Sequence, residues 1–228
     1  PSSGGSDYQS FSNPRGVYVD GSGNIYVADT YNFRISKWDS SGNAIGWIGG
    51  GSDGWQTGEA PSDDDSDYQS FDDPRGVYVD GSGDIYVADS DNHRICKWDS
   101  SGNAIGWIGD GSDGWQTDSI SPWAHGGDYQ SFNGPQAVYV DGSGYIYVAD
   151  SNNNRISKWD SSGNAIGWIG NGSNGWQTGS AGSFAHDYQS FSNPRGVYVD
   201  GTGYIYIADT QNHRISLWDS SGNAMGWI

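Results

Sequence analysis

Residues 14–48 read PRGVYVDGSGNIYVADTYNFRISKWDSSGNAIGWI, and nearly the same string returns at 74–108, 135–169 and 194–228. Its opening proline stands at Pro14, Pro74, Pro135 and Pro194, at steps of 60, 61 and 59 residues. A fixed period of this length decides the architecture before any local assignment, because it marks one structural unit used repeatedly. Within the first copy, four short runs read as strands: Gly16–Asp20, Ile25–Asp29, Arg34–Trp38 and Ala44–Ile48. Each is rich in β-branched and aromatic residues, and turn signals separate them: Asp20-Gly21-Ser22-Gly23, the polar stretch Thr30–Phe33, and Asp39-Ser40-Ser41-Gly42-Asn43.

Four short strands joined by tight turns make an up-and-down antiparallel sheet. A sheet that small cannot bury both of its faces alone, so the copies are expected to stack, as in propellers and solenoids. The chain is read as one repeat domain over 1–228, with units at 14–48, 74–108, 135–169 and 194–228. The linkers between them, 49–73, 109–134 and 170–193, are long. Crossing back to the next first strand needs only a handful of residues at about 3.3 Å each. Pro1 aligns with Pro61 and Ile228 with Ile48. From this we expect a window cut from a longer tandem array, with no strand donated between termini to latch a ring.

Composition narrows the function classes. The formal net charge is −18, which disfavours phosphate backbones and anionic lipid surfaces. All ten basic residues sit at repeat positions: Arg15, Arg75 and Arg195; Arg34, Arg94, Arg155 and Arg214; Lys37, Lys97 and Lys158. No cation is left over to build a nucleic-acid face. Twelve Trp and fifteen Tyr in 228 residues are too many for a solvated coil. Cys96 has Ser36, Ser157 and Ser216 as counterparts, so no internal disulfide is possible and the thiol reads as a drifted serine. No apolar run is long enough for a membrane helix, and no signal peptide is visible. Low lysine and abundant Gly, Ser, Asn and Asp lead us to expect an extracellular or cell-surface protein of microbial origin.

The segment VADTYNFRISKWDSSGNAI resembles the NHL repeat. That pattern carries a strand ending in Val-Ala-Asp, followed by Asn-His-Arg-Ile. Here the second part reads Asn32-Phe33-Arg34-Ile35, Asn92-His93-Arg94-Ile95, Asn153-Asn154-Arg155-Ile156 and Asn212-His213-Arg214-Ile215. The resemblance implies an all-β fold: a β-propeller of four four-stranded antiparallel blades, with the first strand near the axis and the fourth at the rim. It leaves open a closed four-bladed ring or a segment of a longer blade array, since such propellers usually close with six. Some relatives of the family hold a catalytic metal through histidines gathered at the axis. A slot filled here by Phe33, His93, Asn154 and His213 does not supply that set, and no metal site is expected.

Several residues recur in phase. Asp29/Arg34, Asp89/Arg94, Asp150/Arg155 and Asp209/Arg214 flank the second turn and are read as structural pairs that fix strand register. Asp80-Gly81-Ser82-Gly83-Asp84 imitates the opening of a calcium loop, but a strand follows at Ile85 and the motif is read as a hairpin turn. The run Asp63, Asp64, Asp65 suits weak cation binding at most, and no other cofactor is expected. Each linker begins with Gly-Trp-Gln-Thr preceded by a Gly/Ser/Asp-rich stretch, giving Trp55, Trp115 and Trp176. Each ends in Asp-Tyr-Gln-Ser-Phe, giving Tyr68, Tyr129 and Tyr188.

Simple strand order puts all linkers at one edge of the array. Their aromatics either plug gaps between blades or form binding platforms for a protein or a sugar. No catalytic set breaks the repeat symmetry, so we expect a non-enzymatic structural or interaction protein whose partner is a protein, chiefly itself. The alternatives are a lectin-like propeller using the linker aromatics on a glycan and, more remotely, a lyase or hydrolase.

Overall fold

The computed structural model describes residues 7–59, 61, 67–118, 126–180 and 187–228. It contains four separate four-stranded antiparallel sheets, each in simple sequential order. The first blade holds β1 (Pro14–Val19), β2 (Ile25–Asp29), β3 (Arg34–Trp38) and β4 (Ala44–Ile48). The second holds β5 (Pro74–Val79), β6 (Ile85–Asp89), β7 (Arg94–Trp98) and β8 (Ala104–Ile108). The third holds β9 (Pro135–Val140), β10 (Ile146–Asp150), β11 (Arg155–Trp159) and β12 (Ala165–Ile169). The fourth holds β13 (Pro194–Val199), β14 (Ile205–Asp209), β15 (Arg214–Trp218) and β16 (Ala224–Trp227). The first strand thus starts two residues earlier than the sequence suggested and ends one sooner. Pro14 pairs with Asp29 across a register shift that skips Arg15. This placement suits a residue with no N–H to give the ladder.

The turns follow from aspartate and glycine. Asp20 Oδ1 accepts the Ser22 and Asn24 N–H groups at 2.9 and 2.8 Å, while Gly23 takes φ +84°. Asp39 does the same with Ser41 and Asn43 at 2.9 and 2.8 Å, with Gly42 at φ +82°. The Asn43 amide and the turn N–H groups hold the Asp39 carboxyl below its usual range. Asp80 likewise accepts from Ser82 and Asp84, so its calcium-like spacing serves a hairpin. The second turn is a short 3₁₀ helix in three blades, such as Thr30–Asn32. Its next residue is left-handed in every blade: Phe33, His93, Asn154 and His213 lie at φ +52° to +56°. That conformation favours Asn and His among non-glycine residues.

Stacking buries the blade faces. The back of the first blade offers Tyr26, Ala28, Ile35 and Ile48, and the front of the second answers with Phe71, Val77, Val79, Ile85, Val87 and Trp98. The next two seams repeat this scheme. The first strands lie side by side, with Tyr18, Tyr78, Tyr139 and Tyr198 in a row at ring spacings of 4.8, 4.9 and 5.1 Å. They are therefore axial, and the fourth strand is outermost in each sheet. Each seam is also stitched by a hydroxyl. Thr30 Oγ1 donates to the Pro74 carbonyl at 2.8 Å, and Ser90 and Ser151 donate to the Pro135 and Pro194 carbonyls.

Among the described residues, the outer faces of the first and fourth blades lack the cover that the inner faces have. Val17 and Val19 on the front of the first blade are 66% and 55% exposed, whereas Val79 is 2% exposed. At the other end Tyr206 is 37% exposed against 2% for Tyr86. Cys96 is buried in a seam, where desolvation pushes its thiol well above the ordinary range. Iodoacetamide is therefore expected to leave Cys96 unmodified in the native protein and to label it within minutes in 6 M guanidinium, as read by intact mass; rapid native labelling would contradict the seam packing.

Candidate functional site

The Asp–Arg pairs sit at the centre of each blade's attachment to its preceding linker. Arg34 Nε donates to Asp29 Oδ2 at 2.8 Å, and both side chains are fully buried. The guanidinium does not fork onto the carboxylate. Its Nη2 instead donates to the carbonyls of Asp7 and Ser10 at 2.7 and 2.6 Å. Asp29 Oδ1 accepts the Ser12 N–H at 2.6 Å, and Oδ2 also accepts from Asn32 Nδ2 at 2.9 Å. The pairs Asp89/Arg94, Asp150/Arg155 and Asp209/Arg214 repeat the Nε contact at 2.6, 2.7 and 2.7 Å. Each pair thus fixes the strand pair and clamps the Asp-Tyr-Gln-Ser-Phe segment onto the blade. The phenylalanine of that segment enters the core against a tryptophan, as Phe71 does on Trp98 at 5.6 Å.

The linkers do not stay at one edge. After β4 the chain folds back along the rim: Trp47 and Gln56 exchange backbone hydrogen bonds at 2.9 and 2.8 Å. It reaches the far edge, where Gly54 N–H donates to the Gly102 carbonyl at 2.7 Å and Trp55 Nε1 to the Ser100 carbonyl at 3.2 Å. Asp53 Oδ1 accepts the Ala104 N–H at 3.0 Å. Simple strand order cannot show this excursion, because its partners belong to the following blade. Trp115 and Trp176 repeat it on Ser161 and Ser220 at 3.1 Å.

Trp55, Trp115 and Trp176 are half-buried. Each indole faces a tyrosine of its own blade, Tyr26, Tyr86 or Tyr147, with ring centroids 6.2 Å apart. A lysine ammonium lies over the same rings: Lys37, Lys97 and Lys158 stand 4.7, 5.7 and 5.1 Å from the three indole centres. Tyr68 and Tyr129 are half-buried and Tyr188 is exposed. Tyr188 lines a shallow pocket with Asn212, His213, Arg214 and Trp227. Asp63, Asp64 and Asp65 lie outside the described residues. Among the described residues no group of three His, Cys, Asp or Glu is placed to hold a metal. His93 is committed elsewhere, since its Nδ1 accepts the Gly134 N–H at 3.0 Å.

The fourth blade departs from this scheme, and sequence reasoning passed over it. The lysine position carries Leu217, and Tyr206, Ile215, Leu217, Gly226, Trp227 and Ile228 line an apolar groove along its rim. The single Lys-to-Leu change in phase was the available signal.

Comparison with known proteins agrees with the blade geometry. The NHL repeat model matches residues 11–38, 71–98, 132–159 and 191–216. The human NHL repeat-containing protein 3 is 32% identical over 96 residues, and its mouse counterpart is 28% identical over 160 residues. These stretches cover 40% and 66% of this chain but only 23% and 40% of the relatives' lengths. Among solved structures, a streptogramin B lyase superposes with a TM-score of 0.58 at 17% identity, over 96% of this chain and 54% of its own. At that identity the likeness concerns the fold. With four in-phase matches on four four-stranded blades, the chain belongs to the NHL-repeat family of β-propeller proteins.

Proposed function

We propose that the protein is a non-enzymatic interaction scaffold that assembles with copies of itself, the back of one chain's fourth blade seating the front of the next chain's first. One observation carries this reading: the two open ends of the array are the two halves of the seam that the chain already builds three times. The exposed back presents Tyr206, Ala208 and Ile215, the counterparts of Tyr86, Ala88 and Ile95. The exposed front presents Val17 and Val19, the counterparts of Val77 and Val79.

The polar stitch is ready as well. Thr210, whose hydroxyl turns back onto the Ala208 carbonyl at 3.3 Å, occupies the position from which Thr30 reaches Pro74. In a second copy, Pro14 occupies the accepting position. A front-to-back contact is heterologous, so it closes into a ring or continues as a thread according to the angle between copies. The Asp–Arg pairs repeated in all four blades favour a scaffold over a lyase, whose single pocket would need a catalytic set that one blade alone carries. A glycan-binding role for the linker aromatics is weaker, because each indole N–H already serves a neighbouring blade. The Gly/Ser/Asn/Asp-rich, lysine-poor composition supports an extracellular or cell-surface setting, in a microbe.

Sedimentation velocity and negative-stain micrographs over a hundredfold concentration range test the proposal. Discs larger than four blades, or threads, are expected. Isolated four-blade arcs at every concentration would overturn it.

A further inference from the structure

The chain contains three Asn-Gly bonds: Asn133-Gly134, Asn171-Gly172 and Asn174-Gly175. In such a bond the glycine nitrogen can attack the preceding side-chain amide, because no Cβ shields it. The three differ in the partner of that nitrogen. Gly172 N–H donates to the Gln189 carbonyl at 3.1 Å, and Gly175 N–H to the Gly222 carbonyl at 2.7 Å. A neutral carbonyl does not take the proton that the attack releases. Gly134 N–H donates instead to His93 Nδ1 at 3.0 Å. An accepting Nδ1 bears a lone pair, with the ring proton on Nε2, so a base stands on the nucleophile.

Asn152 holds the electrophile. Its Nδ2 donates to Asn133 Oδ1 at 3.1 Å, and its N–H to the Asn133 carbonyl at 3.1 Å. The Asn133 N–H is fixed in turn on Asp150 Oδ1 at 2.7 Å. Gly134 lies at φ +58°, and a Cβ there would stand 2.5 Å from Asn152 Nδ2, so the packing requires glycine where the reaction also needs it. Asn133 is half-buried, which lets water reach it. The sequence does not repeat this set at the other two seams. There the counterpart pairs are Asp72-Asp73 and Ser192-Asn193, and the slot of His93 holds Phe33 and Asn154.

We infer that Asn133-Gly134 is a self-modification site, at which His93 and Asn152 promote succinimide formation and deamidation in the folded chain. His93 Nδ1 takes the Gly134 amide proton as the nitrogen bonds to Asn133 Cγ. Asn152 Nδ2 stabilises the charge that gathers on Oδ1. The imidazolium then returns the proton to the leaving nitrogen, and ammonia departs. Water opens the ring at either carbonyl, to aspartate or isoaspartate. One water is consumed and one ammonia released, with no redox partner. Aspartate at 133 matches Asp72 of the second blade. Isoaspartate adds a methylene to the main chain between the anchors on Asp150 and His93, so it marks and loosens this seam alone.

The test is storage of the native chain at neutral pH in heavy-oxygen water, which tags deamidation that occurs during storage. Peptide mapping then separates aspartate from isoaspartate at each Asn-Gly bond. Each rate is divided by its rate in guanidinium, which removes differences of local sequence. On that scale Asn133 is expected to react at least about tenfold faster than Asn171 and Asn174, since a placed base contributes that much or more. Asn154 shows that asparagine suits the slot of His93, because its Oδ1 accepts the Asn193 N–H at 2.8 Å. His93→Asn therefore keeps the seam bond and removes the base. It is expected to slow Asn133 at least about tenfold and to leave Asn171 and Asn174 unchanged. A purely structural role for His93 predicts the opposite sign, because a loosened seam frees Asn133 to react. Native Asn133 no faster than the other two, an unchanged or raised rate in His93→Asn, or aspartate without isoaspartate would each overturn the inference.

Discussion

Replacing Asp150 with alanine is expected to remove about 3–5 kcal/mol of stability, because it leaves a buried guanidinium without its counter-charge. Arg155 and Asp150 are fully buried. The carboxylate accepts from Arg155 Nε at 2.7 Å, from Asn153 Nδ2 at 2.9 Å and from the Asn133 N–H at 2.7 Å. Alanine strands Arg155 Nε and the Asn133 N–H, while Asn153 Nδ2 keeps the Gly126 carbonyl at 2.8 Å. The carbonyls of Ser131 and Gly127 still face the guanidinium, but neutral dipoles do not replace a charge. Urea unfolding followed by tryptophan fluorescence should show a lower midpoint for the first transition. The double change Asp150→Ala with Arg155→Met should recover much of the loss, since it removes the orphaned charge as well. An unchanged midpoint in the single variant would show that solvent reaches the pair.

The second large effect concerns association. Val19→Asp is expected to abolish self-assembly, weakening it by more than about 100-fold, or roughly 3 kcal/mol, while leaving the single chain folded. Val19 is solvent-exposed in the lone chain, so the substitution costs the monomer little. Its counterparts Val79, Val140 and Val199 lie buried in seams, where a carboxylate would have no partner. Light scattering behind a sizing column over rising concentration gives the mass directly. Ser22→Asp, in an exposed turn, is the charge-matched control and should assemble like the parent. If Val19→Asp assembles as well as the parent, the seam-like end contact is wrong.

The blade was legible because its signals are local. The second, third and fourth strands have the bounds their alternation and flanking turns suggested, and the aspartates and glycines that punctuate them form those turns. The first strand was misjudged at both ends. Pro14 looks like a loop residue by type, yet it enters the ladder across a bulge. The slot filled by Phe33, His93, Asn154 and His213 looked chemically incoherent. Its common factor is backbone conformation, not side-chain chemistry.

The linker path was illegible for the opposite reason. Trp55 is held by Ser100, forty-five residues on and in another blade, and nothing near Trp55 announces that partner.

The three stitches from Thr30, Ser90 and Ser151 to proline carbonyls have a consequence for how the chain finds its native order. Every blade offers the same hydroxyl and carbonyl at this stitch, so only contacts particular to one seam, such as Arg75 Nη1 to Gln136 Oε1 and the Gly134 N–H to His93 Nδ1, say which blade follows which. Order is kept chiefly by tethering. Refolding from denaturant at high concentration will therefore populate skipped and exchanged pairings, blade one against blade three or against a neighbouring molecule's blade, and these must dissolve before the row is correct. The shared stitch also makes blade number easy to vary: a variant with one blade removed or added keeps the hydroxyl-to-carbonyl bond at every seam and loses only the few seam-specific contacts.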